Sequence, residues 1–271
     1  MFSILALPLL LIALPPRPGW PPGSPLLACD DINQWPPYTY RDNGALIGYS
    51  VDVLQQIAHA QQWRVQIDLL PWERCLNAVR AGQYHLALNA SDNQQRRRHY
   101  LMTRPYYFTH SVYFYSRRHH SELDIHQLAD LRRYRLCGLF GYNYEPYGLS
   151  THDLDLGTTR FPQLIAKLHL GRCDLFVEKR EIIVGFSLTD PEMNALLRDP
   201  QLQQRPLPGV APTGFHMLIS RRIQAAETLH AILEQGLDDM ARRGRLTRLL
   251  RRYGVENQPI PEGMDRKQQQ R

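Results

Sequence analysis

The sequence predicts an α/β protein made of two similar lobes, each a mainly parallel sheet flanked by helices. Three observations predict it. Segments with helical periodicity alternate with short apolar strands from residue 47 to residue 116. The same alternation restarts after the polar linker Arg117-Arg118-His119-His120. Each half also carries a helix-ending glycine followed by an apolar strand, Gly82-Gln83-Tyr84-His85-Leu86 in the first and Gly171-Arg172-Cys173-Asp174-Leu175 in the second. A strand that returns through a helix re-enters its sheet in the same direction, so this rhythm implies parallel pairing with helices on both faces. Any α/β chain repeats that grammar, so the echo supports two lobes without identifying them.

Each element has its own justification. Residues 47–63 read as a helix, because Val51, Val53, Leu54, Ile57 and Ala58 recur at three- and four-residue steps. Asp52 lies in its first turn, where an acid meets the positive end of the helix dipole. Residues 64–69 alternate apolar and polar as a strand does. Residues 72–81 form a second helix, ended by Gly82. A strand over 84–88 leads into the loop 89–93, then a short basic helix over 94–99 and an aromatic strand over 106–116. In the second half, 128–132 is a short helix, 134–139 a strand ending at Gly141, 161–170 a helix closed by Gly171, and 172–178 a strand. Residues 214–220 form an apolar strand after a Pro-rich loop.

The last region, 223–253, is amphipathic and interrupted near Gly244, with Leu229, Ile232, Leu233, Leu237 and Met240 on one face. Arg242, Arg243, Arg245, Arg248, Arg251 and Arg252 surround Leu246, Leu249 and Leu250. Such a segment could be a nucleic-acid helix or the wet side of a C-terminal helix. The leucine stripe must be buried, which selects the second. Residues 257–271 are polar and Pro/Gln-rich and are expected to be a disordered tail.

A chain of 271 residues with 43% hydrophobic content can bury a sizeable core. Residues 1–14 are almost wholly apolar, too short to span a bilayer, and placed where a secretory signal has its hydrophobic region. Pro8, Pro15 and Pro16 disfavour the alternative of a buried helix. Residues 1–28 are therefore read as a signal peptide and Pro-rich leader. Leu26-Leu27-Ala28-Cys29 loosely matches a lipoprotein cleavage box, which would anchor Cys29; Leu27 is bulky for that box and the apolar run ends well before it. The formal charge is +6, or +5 without the leader, which carries only Arg17 (6 − 1). The arginines are interspersed with acids, so the charge is read as solvated surface with no nucleic-acid partner. There is no nucleophile elbow, His-Glu-x-x-His pair, phosphate loop or dinucleotide fingerprint. His119, His120 and His126 read as exposed residues, so neither metal nor cofactor is expected.

The order and spacing of Trp35-Pro36-Pro37-Tyr38-Thr39-Tyr40, Pro71-Trp72-Glu73-Arg74-Cys75, the run Asn89 to Arg98, and Arg104-Pro105-Tyr106-Tyr107 resemble the first lobe of bacterial periplasmic solute-binding proteins, family 3, of the polar amino-acid type. The resemblance implies two lobes joined by two crossover strands around a ligand cleft, with residues 29–113 and 216–256 in lobe 1 and 114–215 in lobe 2. It implies that Arg96, opening a helix and nine residues before Pro105, clamps a ligand carboxylate, with Asn93 and Ser91 where the family has a Ser/Thr contact. Consecutive Arg96, Arg97 and Arg98 point about 100° apart on a helix, so not all can face one ligand; the resemblance selects Arg96 and leaves Arg97 and Arg98 solvated. An arginine fork supplies two parallel donors to a carboxylate, and a helix start adds its own.

Trp72 and Tyr38 would wall the ligand. In the second lobe, Gly141-Tyr142-Asn143-Tyr144-Glu145 matches the family loop that donates to the carboxylate, with Asn143 replacing a hydroxyl and Tyr144 beside it. The acid that meets a ligand ammonium falls, by count, at Lys179, with Glu178 one residue short and Glu181 as a substitute. His85 and Arg104 stand where the family usually has Asp. The implied function is periplasmic capture of an amino acid or relative by hinge closure, by a monomer that delivers it to an inner-membrane ABC permease, without enzymatic chemistry. The alternatives are a dehydratase-like enzyme on the same fold, with Glu178, Glu181 or His85 as acid or base, and a free-standing sensor. Four cysteines allow three pairings. With two lobes, one disulfide per lobe is expected, Cys29–Cys75 and Cys137–Cys173, because a bridge between lobes would restrain a hinge.

Overall fold

The first sheet begins inside what the sequence marks as leader. In the computed structural model, which describes residues 25–140, 142 and 144–255, β1 (Pro25–Asp31) pairs in parallel with β4 (Arg64–Leu70) along its whole length. Leu26 and Ala28 are fully buried. The leader boundary at residue 28 is thereby corrected: residues 25–28 are sheet. Cys29 sits within the same strand and is bonded to Cys75, which removes it as a lipid attachment point. The rest of the leader and the tail 257–271 lie outside the described residues.

Between β1 and β4 come the hairpin β2 (Tyr40–Asp42) and β3 (Ala45–Ile47), then α1 (Tyr49–Ala60). The helix starts two residues later than expected because Gly48 turns the chain with φ 136°, and a Cβ there would overlap the Tyr38 carbonyl. After β4 follow α2 (Trp72–Ala81), β5 (Leu86–Ser91), α3 (Gln94–His99) and β6 (Tyr100–Met102). Gly82 ends α2 in the left-handed conformation, as expected.

The aromatic strand expected over 106–116 is two strands. β7 (Tyr107–Thr109) belongs to the first sheet and β8 (Ser111–Ser116) to the second, with His110 alone between them. The second body continues through β9 (Leu136–Leu139), β10 (Leu154–Thr158), α4 (Phe161–His169), β11 (Leu175–Lys179), α5 (Arg180–Thr189), α6 (Pro191–Leu197) and β12 (Leu202–Pro206). The return crossing is β13 (Thr213–Ser220), which lies wholly in the first sheet. The expected lobe limits at 113/114 and 215/216 therefore move to His110 and to the segment between Pro206 and Thr213.

The sheet orders are β4-β1-β5-β13-β6, with β7 also on β13, and β10-β9-β11-β8-β12. Pairing is parallel wherever a helix connects successive strands, in β4/β1/β5 and β10/β9/β11. It is antiparallel wherever a crossing strand enters, at β13 in one sheet and β8 in the other. The chain ends with α7 (Ala226–Arg242) and α8 (Arg245–Arg252), which pack on α1 and so return to the first lobe. Leu229, Leu233, Leu237, Met240, Leu246, Leu249 and Leu250 are buried there, while Arg248, Arg251 and Arg252 remain exposed. The leucine stripe is core, as its periodicity requires. Both disulfides, Cys29–Cys75 and Cys137–Cys173, fall within a lobe.

Candidate functional site

In open α/β sheets, ligands bind outside the carboxyl ends of the parallel strands. In the first lobe those ends deliver Asp30 and Asp31 from β1, Trp72 just past β4, and Asn89 to Ser91 from β5. In the second they deliver Leu139 from β9 and Glu178 and Lys179 from β11. Tyr142 is half-buried, and its burial, with the charges of Glu178 from one set and Asp31 from the other, pushes its hydroxyl pKa up; the Lys179 Nζ also donates to Thr213 Oγ1 of the first-lobe strand β13 at 3.1 Å.

Arg96 lies in the first turn of α3. Asn93 caps that helix, its Oδ1 accepting from the Arg96 backbone N–H at 2.8 Å. The Arg96 Nη1 donates to the Ser91 carbonyl at 2.6 Å and to the Ser91 Oγ at 2.8 Å. Its guanidinium carbon stands 5.6 Å from the Trp72 ring centroid, a cation–π contact. The side chain is half-buried, and desolvation lowers its pKa from the ordinary arginine value. Among the described residues it has no carboxylate within 4.0 Å. Its neighbours behave differently: Arg97 is exposed and paired with Asp92, and Arg98 is exposed. Arg96, Ser91 and Trp72 are thus brought together. Asn93 is exposed and its side chain serves the helix as a cap.

Tyr38 has a different place from the one expected. It has no exposed surface, stacks on Tyr107 with 3.7 Å between centroids, and meets Tyr49 edge-on. In this structure it is a core residue and not a pocket wall. Tyr and Trp serve either purpose by the same chemistry, so the sequence does not separate the two uses.

Behind this corner lies a buried polar cluster that the sequence reading missed. Asn89 adopts φ 54° at the end of β5. Its Oδ1 accepts from Ser50 Oγ at 2.6 Å, Tyr107 OH at 2.9 Å and Tyr106 OH at 3.1 Å. Its Nδ2 donates to Asp30 Oδ2 at 2.5 Å and Thr39 Oγ1 at 2.9 Å. Burial pushes the Asp30 carboxyl up to about 6, against the opposing pull of hydrogen bonds from Thr39, the Asp31 N–H and Asn89. A non-glycine residue with positive φ is the one local signal, and Asn tolerates it better than most.

In the second lobe the carboxyl end of β11 carries an acid and a cation. Glu178 is buried, and desolvation pushes its carboxyl up to about 7, although the Lys179 backbone N–H donates to its Oε1 at 2.7 Å. The Lys179 Nζ donates to Ser111 Oγ at 2.8 Å and Thr213 Oγ1 at 3.1 Å, and lies 5.6 Å from the Tyr147 ring centroid. Tyr144 is buried, and its hydroxyl accepts from the Leu139 N–H at 2.8 Å. A Cβ on Gly138 would meet that hydroxyl at 2.5 Å, so Gly138 is what admits the ring. Asn143 lies outside the described residues.

The acid–base candidates have structural partners. The Leu27 N–H donates to His85 Nδ1 at 2.7 Å, and burial lowers the His85 pKa. Burial would raise the Glu181 carboxyl, but hydrogen bonds from the His110 ring and backbone outweigh it and hold the group below the usual range. Arg104, where an Asp was expected by resemblance, pairs with Glu234 and Asp238 of α7.

Comparison with known proteins agrees with this architecture. The sequence model of the bacterial extracellular solute-binding proteins, family 3, matches residues 30–256. The chain is 19% identical over 232 residues to the probable amino-acid-binding protein YxeM of Bacillus subtilis (strain 168), covering 82% of this chain and 81% of that one. Among solved structures it superposes with TM-score 0.62 on a histidine kinase sensor domain similar to periplasmic binding proteins, at 21% identity over 85% of this chain and 96% of that one. It superposes with TM-score 0.65 on an ancestral cationic amino acid solute-binding protein, at 13% identity over 84% and 95%. The unliganded, open L-cystine solute receptor of Neisseria gonorrhoeae gives TM-score 0.62 at 15% identity over 85% and 93%.

Proposed function

The chain belongs to family 3 of the bacterial extracellular solute-binding proteins, and from that membership we propose that it captures a small carboxylate-bearing solute, an amino acid or a relative, between its lobes. One observation carries the reading. Arg96 is a half-buried cation without a carboxylate partner among the described residues, at a helix start beside the cleft-facing end of β5. An unpaired guanidinium that has lost part of its hydration gains most from an anion that accepts two parallel hydrogen bonds. Trp72, 5.6 Å from that guanidinium, stacks against it, and Ser91 fixes its direction through Nη1. The solute's remainder would lie toward Tyr142 and the end of β11, where a buried carboxyl and a lysine offer one group of each sign.

Capture then proceeds by hinge closure: lobe 1 takes the carboxylate, and lobe 2 swings over it and excludes water. The chain acts outside the cytoplasmic membrane, in the periplasm, after export by its apolar leader. It works as a monomer and hands the solute to an ABC permease. No bond is made or broken.

A thermal-shift panel of L-amino acids, polyamines and small organic acids tests this, because a ligand of the native state raises the melting temperature. At least one carboxylate-bearing member should raise it. A panel in which only amines without a carboxylate act contradicts the reading.

A further inference from the structure

We propose that Gly185 is the contact stop of lobe closure: α5 meets lobe 1 backbone to backbone at Pro36–Pro37, and the absence of a side chain at this position lets the cleft shut fully. The inference rests on the reading that the two lobes move on each other. It adds a positioning residue on α5, an element that supplies none of the Arg96 contacts.

Three observations converge on α5. Its first turn grips the crossing residue between the sheets. The His110 N–H donates to Glu181 Oε2 at 2.8 Å, the His110 Nδ1 lies 2.8 Å from Glu181 Oε1, and the Arg180 N–H donates to the His110 carbonyl at 2.9 Å. A helix held this firmly at its start turns with the second lobe as a rigid arm. Its middle presses on the first lobe: a Cβ on Gly185 would overlap the Pro36 carbonyl and stand 2.5 Å from the Pro37 nitrogen. Those are backbone atoms, which cannot rotate aside as a flexible side chain would. The loop that carries them is fastened in turn, since the Tyr49 N–H donates to the Pro37 carbonyl at 3.0 Å and the Ser50 N–H to the Tyr38 carbonyl at 2.9 Å.

Beside this contact the interface is not filled. A cavity of about 250 Å³ lies between Arg180, Glu181 and Val184 of α5 and Gly254 and Val255 at the end of the first lobe. The backbone approach at Gly185 thus sits beside unfilled space on the Arg180–Val184 side of α5. This predicts the reverse of the usual rule. Alanine in place of a mid-helix glycine ordinarily stabilises, and here it opens the molecule. Because only a closed form holds its solute, a variant that closes less often binds more weakly in proportion to the lost closed fraction.

The test uses the full chain as Gly185→Ala and Gly185→Val, with Thr189→Val on the exposed end of the same helix as control. Small-angle scattering in an equimolar mixture of the L-amino acids reports the separation of the lobes in the solute-loaded form, and circular dichroism with thermal melting reports the fold. The expected result is a radius of gyration that increases from wild type through Gly185→Ala to Gly185→Val, with native circular dichroism and an unchanged control. Scattering identical to wild type in both variants overturns the proposal. So does loss of fold in both, which would make the contact part of an indivisible core. Comparing the wild type with and without the mixture tests the underlying reading separately: no contraction on addition counts against amino-acid capture, whereas equal contraction in wild type and both variants overturns the stop alone.

Discussion

Replacing Asn89 by Ala removes the hub of the buried cluster behind Arg96, and its cost can be worked from the hydrogen bonds. Ser50 and Tyr106 keep each other, because the Tyr106 hydroxyl donates to Ser50 Oγ at 2.9 Å. Tyr107 OH loses the acceptor it has at 2.9 Å, and Asp30 Oδ2 loses the amide that donates to it at 2.5 Å. Tyr107 OH left without an acceptor costs about 1–3 kcal/mol, and the bond lost by Asp30, which keeps those from Thr39 and the Asp31 N–H, costs about 1 kcal/mol. An alanine held at the left-handed φ of 54° adds about 1 kcal/mol. The sum is a loss of about 4 kcal/mol, a large share of the stability of a typical domain. Urea unfolding at neutral pH, followed by circular dichroism, should show a markedly lower midpoint with a similar slope. A loss below about 1 kcal/mol would refute the description of Asn89 as a saturated hub and imply that water replaces it.

Three further predictions concern Glu178 and the disulfides. Glu178 has a folded pKa raised to about 7 from 4.5, so the native state holds its proton more tightly than the unfolded state does. Stability from this group is present below about pH 4.5, is lost as pH rises toward 7, and the full penalty stands above it. His85, His169 and His216 have lowered pKa values through burial and act in the opposite sense. The effect must therefore be read as a difference: Glu178→Gln should gain melting temperature over wild type at pH 8 and lose that advantage by pH 5, and parallel pH profiles would exclude the assignment. Non-reducing peptide mapping should find Cys29–Cys75 and Cys137–Cys173 alone. Replacing the first pair by serine should cost about 4 kcal/mol by the chain-entropy argument for its separation of 46 residues.

Much of the fold was legible because periodicity reports burial. The face of α1 carrying Val53, Leu54 and Ile57 and the leucines of α7 and α8 are buried as their spacing requires. β1 was hidden because Leu26 to Cys29 continues an apolar, Pro-rich stretch without a boundary signal. The break at His110 was hidden for a related reason. Tyr107 to Thr109 and Ser111 to Ser116 are buried on both sides of it, so the residue pattern does not change where the strand leaves one sheet for the other. At the site, the helical step of 100° shows only that Arg96, Arg97 and Arg98 do not all face one ligand; the family resemblance singles out Arg96, and Asn93 reads equally well as ligand contact or cap. Asn89 could not be read as a hub, because its partners Asp30, Thr39, Ser50, Tyr106 and Tyr107 come from separate parts of the chain and meet only in the folded state.

One guanidinium at the start of α3 is proposed to receive the solute's carboxylate. Isothermal titration of Arg96→Ala with the carboxylate that most raises the wild-type melting temperature tests this, with Arg97→Ala, whose wild-type side chain is paired to Asp92, as the comparison. Losing a charge-assisted contact of this kind costs about 2–5 kcal/mol, so affinity in Arg96→Ala should fall at least thirtyfold while Arg97→Ala stays near wild type. Equal affinity in Arg96→Ala and wild type, with both folded, would contradict the account.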